Sequence, residues 1–293
     1  MSGIRLRSTD ECVDVLYDDV RLLSCRSGGS DGGAPHIHPL CTPAGRLLSL
    51  DQPYDHPWHH GLFFAWPNVS GYNFLETSER FAGRRGTVEQ VAWCRREVVD
   101  GVARISTRNR WLPEGAILPI IVEERDVSVQ APIGNRYSID IEVAIHVDPG
   151  TDEPEVTLAS FPPYHGLSFR PQRSLDRARL VNSEGGKGVR GTLGVSARWC
   201  ALMGQLDSPP GWGGVAILDH PENPRHPTPF FTMAVPEKPF AFIGAAPCFE
   251  EPLAIVKGEP VGWKYRLVVF DGVLSSDTLD VEWEMFRHEK PRV

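Results

Sequence analysis

The chain has 293 residues, with 30 Lys and Arg against 38 Asp and Glu and a formal net charge of −8. That balance leaves no basic footprint for nucleic acid, and 41% hydrophobic residues supply a sizeable core, which excludes wholesale disorder. With 28 Gly and 26 Pro, long helices have little room, so many short strands joined by turns are expected.

Charges interrupt the apolar residues of the first 20 positions before a leader-like stretch can form, so no secretory leader is expected. No apolar run approaches the length of a membrane span. Cysteines 12, 25, 41, 94, 200 and 248 are far apart and form no CxxC, which predicts reduced thiols and a cytoplasmic location.

In chain order, Cys12 to Tyr17 alternates as a strand. Val88 to Val98, Val102 to Arg108 and Ile121 to Val129 follow as successive strands, with turns such as Asp100-Gly101 between them. Tyr137 to Val147 is the clearest case. It places Ile139, Ile141, Val143, Ile145 and Val147 on one face and Asp140, Glu142 and His146 on the other. Residues 147–155 (VDPGTDEPE) read as a polar connection rather than a domain linker. A helical turn or two is expected at Leu175 to Leu180, and a glycine turn at Gly185 to Gly188. Strands resume at Ala197 to Leu202, Gly214 to Leu218, Tyr265 to Phe270 and Leu279 to Trp283. The sum is an all-β fold, a large and mostly antiparallel β-sandwich, with residues 1–293 as one domain.

Seven of the ten histidines fall in three windows rich in Pro and Gly, at 36/38, 56/59/60 and 220/226. Imidazole can exchange protons near neutral pH, bind metals or hydrogen-bond to hydroxyls. His36 and His38 share a strand face, which suits either a metal pair or a plain exposed pair. His56 and His60 are four apart, but Pro57 opposes a helix there and no Glu stands at 57, so the zinc-protease motif is rejected. No metal site is therefore assigned, and no cofactor is identified. Asp55-His56-Pro57 before Phe63-Phe64 is echoed by Asp219-His220-Pro221 before Phe230-Phe231, which predicts that both loops reach one pocket. Trp58 and its aromatic neighbours could stack on sugar faces. Glu250 and Glu251 follow an apolar stretch and are expected at a strand end, where only one can enter a pocket. Nucleophile elbows, phosphate loops and dinucleotide fingerprints are not found.

Asp55 to Trp66 with Asn68 to Phe74 resembles the signature of the PmoA-like bacterial family of unknown function, named after a methane oxygenase subunit. Residues 38–45, 166–171, 219–227 and 265–272 resemble it further, in order. That family looks akin to galactose-mutarotase-like supersandwich proteins, which bind or act on carbohydrates. His60-Gly61 resembles the "HGG" turn of the mutarotases, and Phe249-Glu250-Glu251-Pro252 their late "LEPQ" strand. Their "NHxYF" tract has no clear match; His146 and His165 are the remaining candidates. The resemblance implies acid–base chemistry on a sugar, with Glu250 or Glu251 as base and His59 or His60 as acid. Substrate contacts would come from His38, His56, Trp58, Arg170, His220, Arg225 and His226. The partner would be a small-molecule or oligosaccharide ligand, with neither nucleic acid nor membrane involved. Two other readings remain open: a carbohydrate-binding protein without turnover, and a metal-dependent lyase or hydrolase with ligands among His36, His38, His59, His220 and His226.

Overall fold

A computed structural model describes residues 3–28, 33–77, 84–207 and 210–289; the outermost ends of the expected 1–293 domain lie outside it. About 53% of it is strand and 8% helix. The strands are β1 (Ile4–Ser8), β2 (Cys12–Tyr17), β3 (Val20–Arg26), β4 (His36–Leu40), β5 (Leu62–Ala65), β6 (Tyr72–Asn73), β7 (Arg84–Val99), β8 (Val102–Pro113), β9 (Ile121–Val129) and β10 (Arg136–Val147). They continue as β11 (Glu155–Leu158), β12 (Gly166–Phe169), β13 (Arg179–Asn182), β14 (Trp199–Asp207), β15 (Pro210–Asp219), β16 (Phe230–Val235), β17 (Phe240–Ala245), β18 (Leu253–Val256) and β19 (Val261–Asp271). The helices are α1 (Gly188–Thr192) and α2 (Ser276–Phe286), with a 3-10 turn at Arg173–Arg177 where the sequence suggests a helical turn.

Two large sheets form the sandwich. The first runs β1-β2-β3-β4-β5-β12-β17-β16 and the second β13-β14-β15-β19-β10-β9-β8-β7-β6, while β11 pairs with β18. Pairing is antiparallel except between β6 and β7. Period-two alternation explains the shared core. Leu62 and Phe64 of β5, Leu167 and Phe169 of β12, and Ala241, Ile243 and Ala245 of β17 meet Ile139, Ile141 and Val143 of β10 and Leu267 and Val269 of β19. The intervening residues face outward, and each sheet covers its outer face differently.

On the second sheet, Trp199, Ala201, Met203, Ala216, Leu218, Val268 and Phe270 point away from the core and are covered by Leu279, Trp283 and Phe286 of α2. This corrects the strand expected at Leu279 to Trp283. The alternation Leu-Asp-Val-Glu-Trp fits a strand, but Leu279, Trp283 and Phe286 also have helical spacing, and Val281 is 59% exposed. Ser275 caps the helix by accepting a hydrogen bond from the Thr278 amide. The polar face of β10 is also buried. Arg266 donates to both Asp140 oxygens at 2.6 and 2.8 Å and to Glu289 at 2.8 Å, while Lys264 lies 3.8 Å from Glu142. Buried charges are tolerated there because each is paired.

Candidate functional site

On the first sheet, Phe63 and Ala65 of β5, Ser168 of β12, Phe242 and Gly244 of β17 and Phe231 and Met233 of β16 alternate with the core residues and so face outward. The loop between Asp51 and Gly61 folds over this surface. Its ends are tied by a bridge between Asp51 and His60 and by a bond from the Gln52 amide to the His59 carbonyl. Gly61 is needed at the exit: its φ is 63°, and a Cβ there would stand 2.5 Å from the Ile37 carbonyl oxygen.

Two adjoining clefts result. The larger, of about 700 Å³, is lined by Trp58, His60, Glu76, Arg85 and Glu114 among others. The smaller, of about 330 Å³, is lined by His56, Trp58, His59, Glu76 and Tyr164 with Phe231, Phe240 and Phe242. Trp58 and Glu76 belong to both. His59 stacks on His56 with ring centres 4.7 Å apart and on Phe63 at 5.7 Å, and it is buried. Burial first, then the neighbouring His56 and Arg170, hold its pKa well below the ordinary histidine value, so the ring is neutral. Among the described residues, His59 Nδ1 and Trp58 Nε1 are buried atoms without a hydrogen-bond partner. Tyr164 donates its hydroxyl to Glu76, which is itself buried. Asn73 holds the Glu76 backbone by accepting from its amide at 2.8 Å and donating to its carbonyl at 2.7 Å.

The loop is anchored by charge. Asp55 accepts from Arg170 at 2.8 Å, Arg173 at 2.7 Å and His56 Nδ1 at 2.8 Å. Burial alone would raise the Asp55 pKa, but bonds from His56, Arg170 and Arg173 hold it well below the usual carboxylate range. Arg170 is fully buried, with its guanidinium 4.0 Å from the centre of the Phe240 ring. It supports the cleft wall from behind. Deeper in the same loop, His60 Nδ1 lies 2.9 Å from Asp51, with His36 beside it at 4.8 Å between ring centres. Burial and the neighbouring His60 push the His36 pKa down to about 4. His38, two residues along the same strand face, holds Ser49 through Nδ1 at 2.8 Å.

The sequence-predicted site residues therefore divide. His56, Trp58 and His59 line the smaller cleft, and Trp58 and His60 the larger. The echoed loop does not join them. His220 packs edge-on to Phe286 and His226 stacks on Trp283, so this window belongs to α2 and the second sheet. His226 Nδ1, the Thr228 amide and Asn223 all donate to the fully buried Asp219, which makes the loop a docking knot. Only the aromatic end of the echo reaches the first site, where Phe231 lines the smaller cleft and Phe230 enters the core.

Glu250 and Glu251 are also corrected in placement. β17 ends at Ala245, and the two carboxylates sit exposed in a bend flanked by Pro247 and Pro252, lining neither cleft. Arg225 spends its donors on the carbonyls of Pro247, Glu251 and Pro252, which fixes that bend. His165 is structural: its Nδ1 lies 3.2 Å from the Pro162 carbonyl oxygen, and its Nε2 accepts from the Cys248 amide at 3.0 Å. Sequence reasoning passed over Asp51, Glu76 and Tyr164. Glu76 stands just beyond the aromatic run that ends at Phe74, and Asp51 precedes the first histidine loop, so proximity to those motifs was the available signal.

All six cysteines are unpaired, and no helix among the described residues is long and apolar enough to cross a membrane. No curated protein matches the chain. Residues 12–284, nearly the whole chain, match one family, and the chain belongs to it: the family of unknown function DUF6807.

Proposed function

We propose that this DUF6807 member binds a carbohydrate, or a sugar-like polyol, across the two clefts and transfers protons on it. The observation that carries the reading is the smaller cleft. It combines aromatic walls with a neutral His59, a buried Glu76 under the Tyr164 hydroxyl, and unpartnered nitrogens on Trp58 and His59. A sugar presents apolar C–H faces and polar hydroxyl edges, and such a lining meets both. The resemblance of residues 55–74 to PmoA-like and mutarotase-like proteins points to the same ligand class.

In this reading Trp58, Phe240 and Phe242 receive the sugar faces. The Glu76 carboxylate, which already accepts from Tyr164, takes the proton. The neutral His59 imidazole, whose depressed pKa makes it a donor rather than an acceptor, gives one from a ring N–H, so Glu76 and His59 form the base–acid pair. Glu76 thus takes the part that the sequence assigns to Glu250 or Glu251.

The test is a panel of sugars, sugar acids and small oligosaccharides followed by proton NMR. Glu76→Gln keeps the side-chain shape and removes its basicity, and is expected to lower turnover by roughly 10²–10⁴-fold with binding retained. Binding without turnover by the native protein would leave a carbohydrate-binding protein. Failure of every sugar to bind would overturn the proposal.

A further inference from the structure

We propose that His36, Asp51 and His60 bind a divalent first-row transition ion, with a coordination position open to the larger cleft. One donor atom from each residue lies within 4.8 Å of the others. Asp51 Oδ1 is 2.9 Å from His60 Nδ1 and 3.7 Å from His36 Nε2. Donors at ~2.1 Å from one ion stand about 3.0 Å apart at right angles and about 3.4 Å apart in a tetrahedron. Both Asp51 pairs are therefore near ligand spacing, and the two imidazoles, with donors within 4.8 Å, close onto the ion.

An independent observation comes from His36. It is 7% exposed, and its Nε2 is buried without a hydrogen-bond partner. Its Nδ1 lies 2.9 Å from the Ala34 carbonyl oxygen, which places the proton on Nδ1 and leaves a bare lone pair on Nε2. That lone pair faces a carboxylate oxygen, which is also an acceptor. A cation between them satisfies both. A backbone carbonyl on the far nitrogen is also what metal-binding histidines ordinarily have.

The surroundings hold these donors in place. Arg125, ion-paired to the buried Glu123, donates to the Pro35 carbonyl at 2.9 Å and so fixes the start of β4. The Asp51–His60 bridge sets the other two residues face to face. Gly33 lets the backbone pass close by, since a Cβ there would stand 3.0 Å from His60 Cε1. Two imidazoles and one carboxylate suit zinc, iron(II), cobalt(II) or nickel(II) rather than calcium or magnesium, which prefer all-oxygen sites. Three protein ligands leave a position for water or substrate, and His60 reaches the larger cleft together with Gln52 and Ala34. This inference stands apart from the His59–Glu76 pair and holds whether or not sugars are turned over.

The full chain, stripped with a chelator and dialysed, would be titrated separately with zinc, anaerobic iron(II), cobalt(II), nickel(II) and magnesium chloride, with stoichiometry read by native mass spectrometry. The expected result is one transition ion per chain and no magnesium. His36→Asn, Asp51→Asn and His60→Gln should each weaken binding by roughly 100-fold or more, while His146→Gln binds as the native chain does. Circular dichroism checks that the variants fold. X-ray absorption of the zinc-loaded native chain gives an answer even if they do not: nitrogen and oxygen neighbours are expected. Sulfur ligation, no binding of any ion by the folded native chain, or binding that survives in all three variants would overturn the proposal.

Discussion

Lowering the pH should uncouple His165 from the sandwich. Its ring is 1% exposed, stacks on Trp66 at 5.0 Å, and accepts the Cys248 amide on Nε2. Burial, opposed in part by the bond to the Pro162 carbonyl, moves its pKa from 6.5 down to about 4. The unfolded chain therefore binds a proton at this site between about pH 6.5 and pH 4 while the folded chain does not. Stability from this residue is fully present above 6.5 and is lost as the pH falls toward 4. A displacement of this size integrates to about 3 kcal/mol between pH 7 and pH 4. His165→Gln keeps an acceptor for the Cys248 amide and cannot titrate. Urea unfolding of both proteins at stepped pH should show the native chain losing about 3 kcal/mol more than the variant over that range, with the curves parallel above pH 7. Parallel curves throughout would refute the reasoning, because the native ring would then be solvated or already charged.

Two further outcomes follow from the division of the histidine windows. Trp283→Ala removes the ring that covers the second sheet, stacks on His226 and donates to the Asp219 carbonyl at 2.8 Å; it should cost about 3–5 kcal/mol in denaturant melts yet leave ligand affinity at the clefts unchanged. Glu250→Gln and Glu251→Gln alter exposed bend carboxylates, so each should keep native turnover and stay within about 0.5 kcal/mol of native stability in the same melts.

Period-two patterning exposed most of the sandwich, because a strand buried on one face repeats every second residue. β10 shows this in Ile139, Ile141 and Val143. The same reasoning could not show that Asp140 and Glu142 are buried as well, since their partners Arg266 and Lys264 are remote in sequence. It also misread α2, where Leu279 and Trp283 satisfy both periods and only exposed Val281, Phe286 and the Ser275 cap break the tie. At the site, Asp55-His56-Pro57-Trp58-His59-His60 was legible as one loop because its chemistry is contiguous. The echo at 219–226 has a similar composition but spends its groups on Asp219 and on α2, a difference set by what covers each sheet. Glu76 and Tyr164 are 88 residues apart, and pairing them requires the folded chain.

The central claim is that ligand binds on the outer face of the first sheet. A crystal structure of the chain with the tightest-binding sugar of the panel tests it directly. The account predicts a sugar ring against Trp58 with hydroxyls near His59 and Glu76. A sugar seated instead against His220, His226 or α2, with both clefts free of it, would contradict the account.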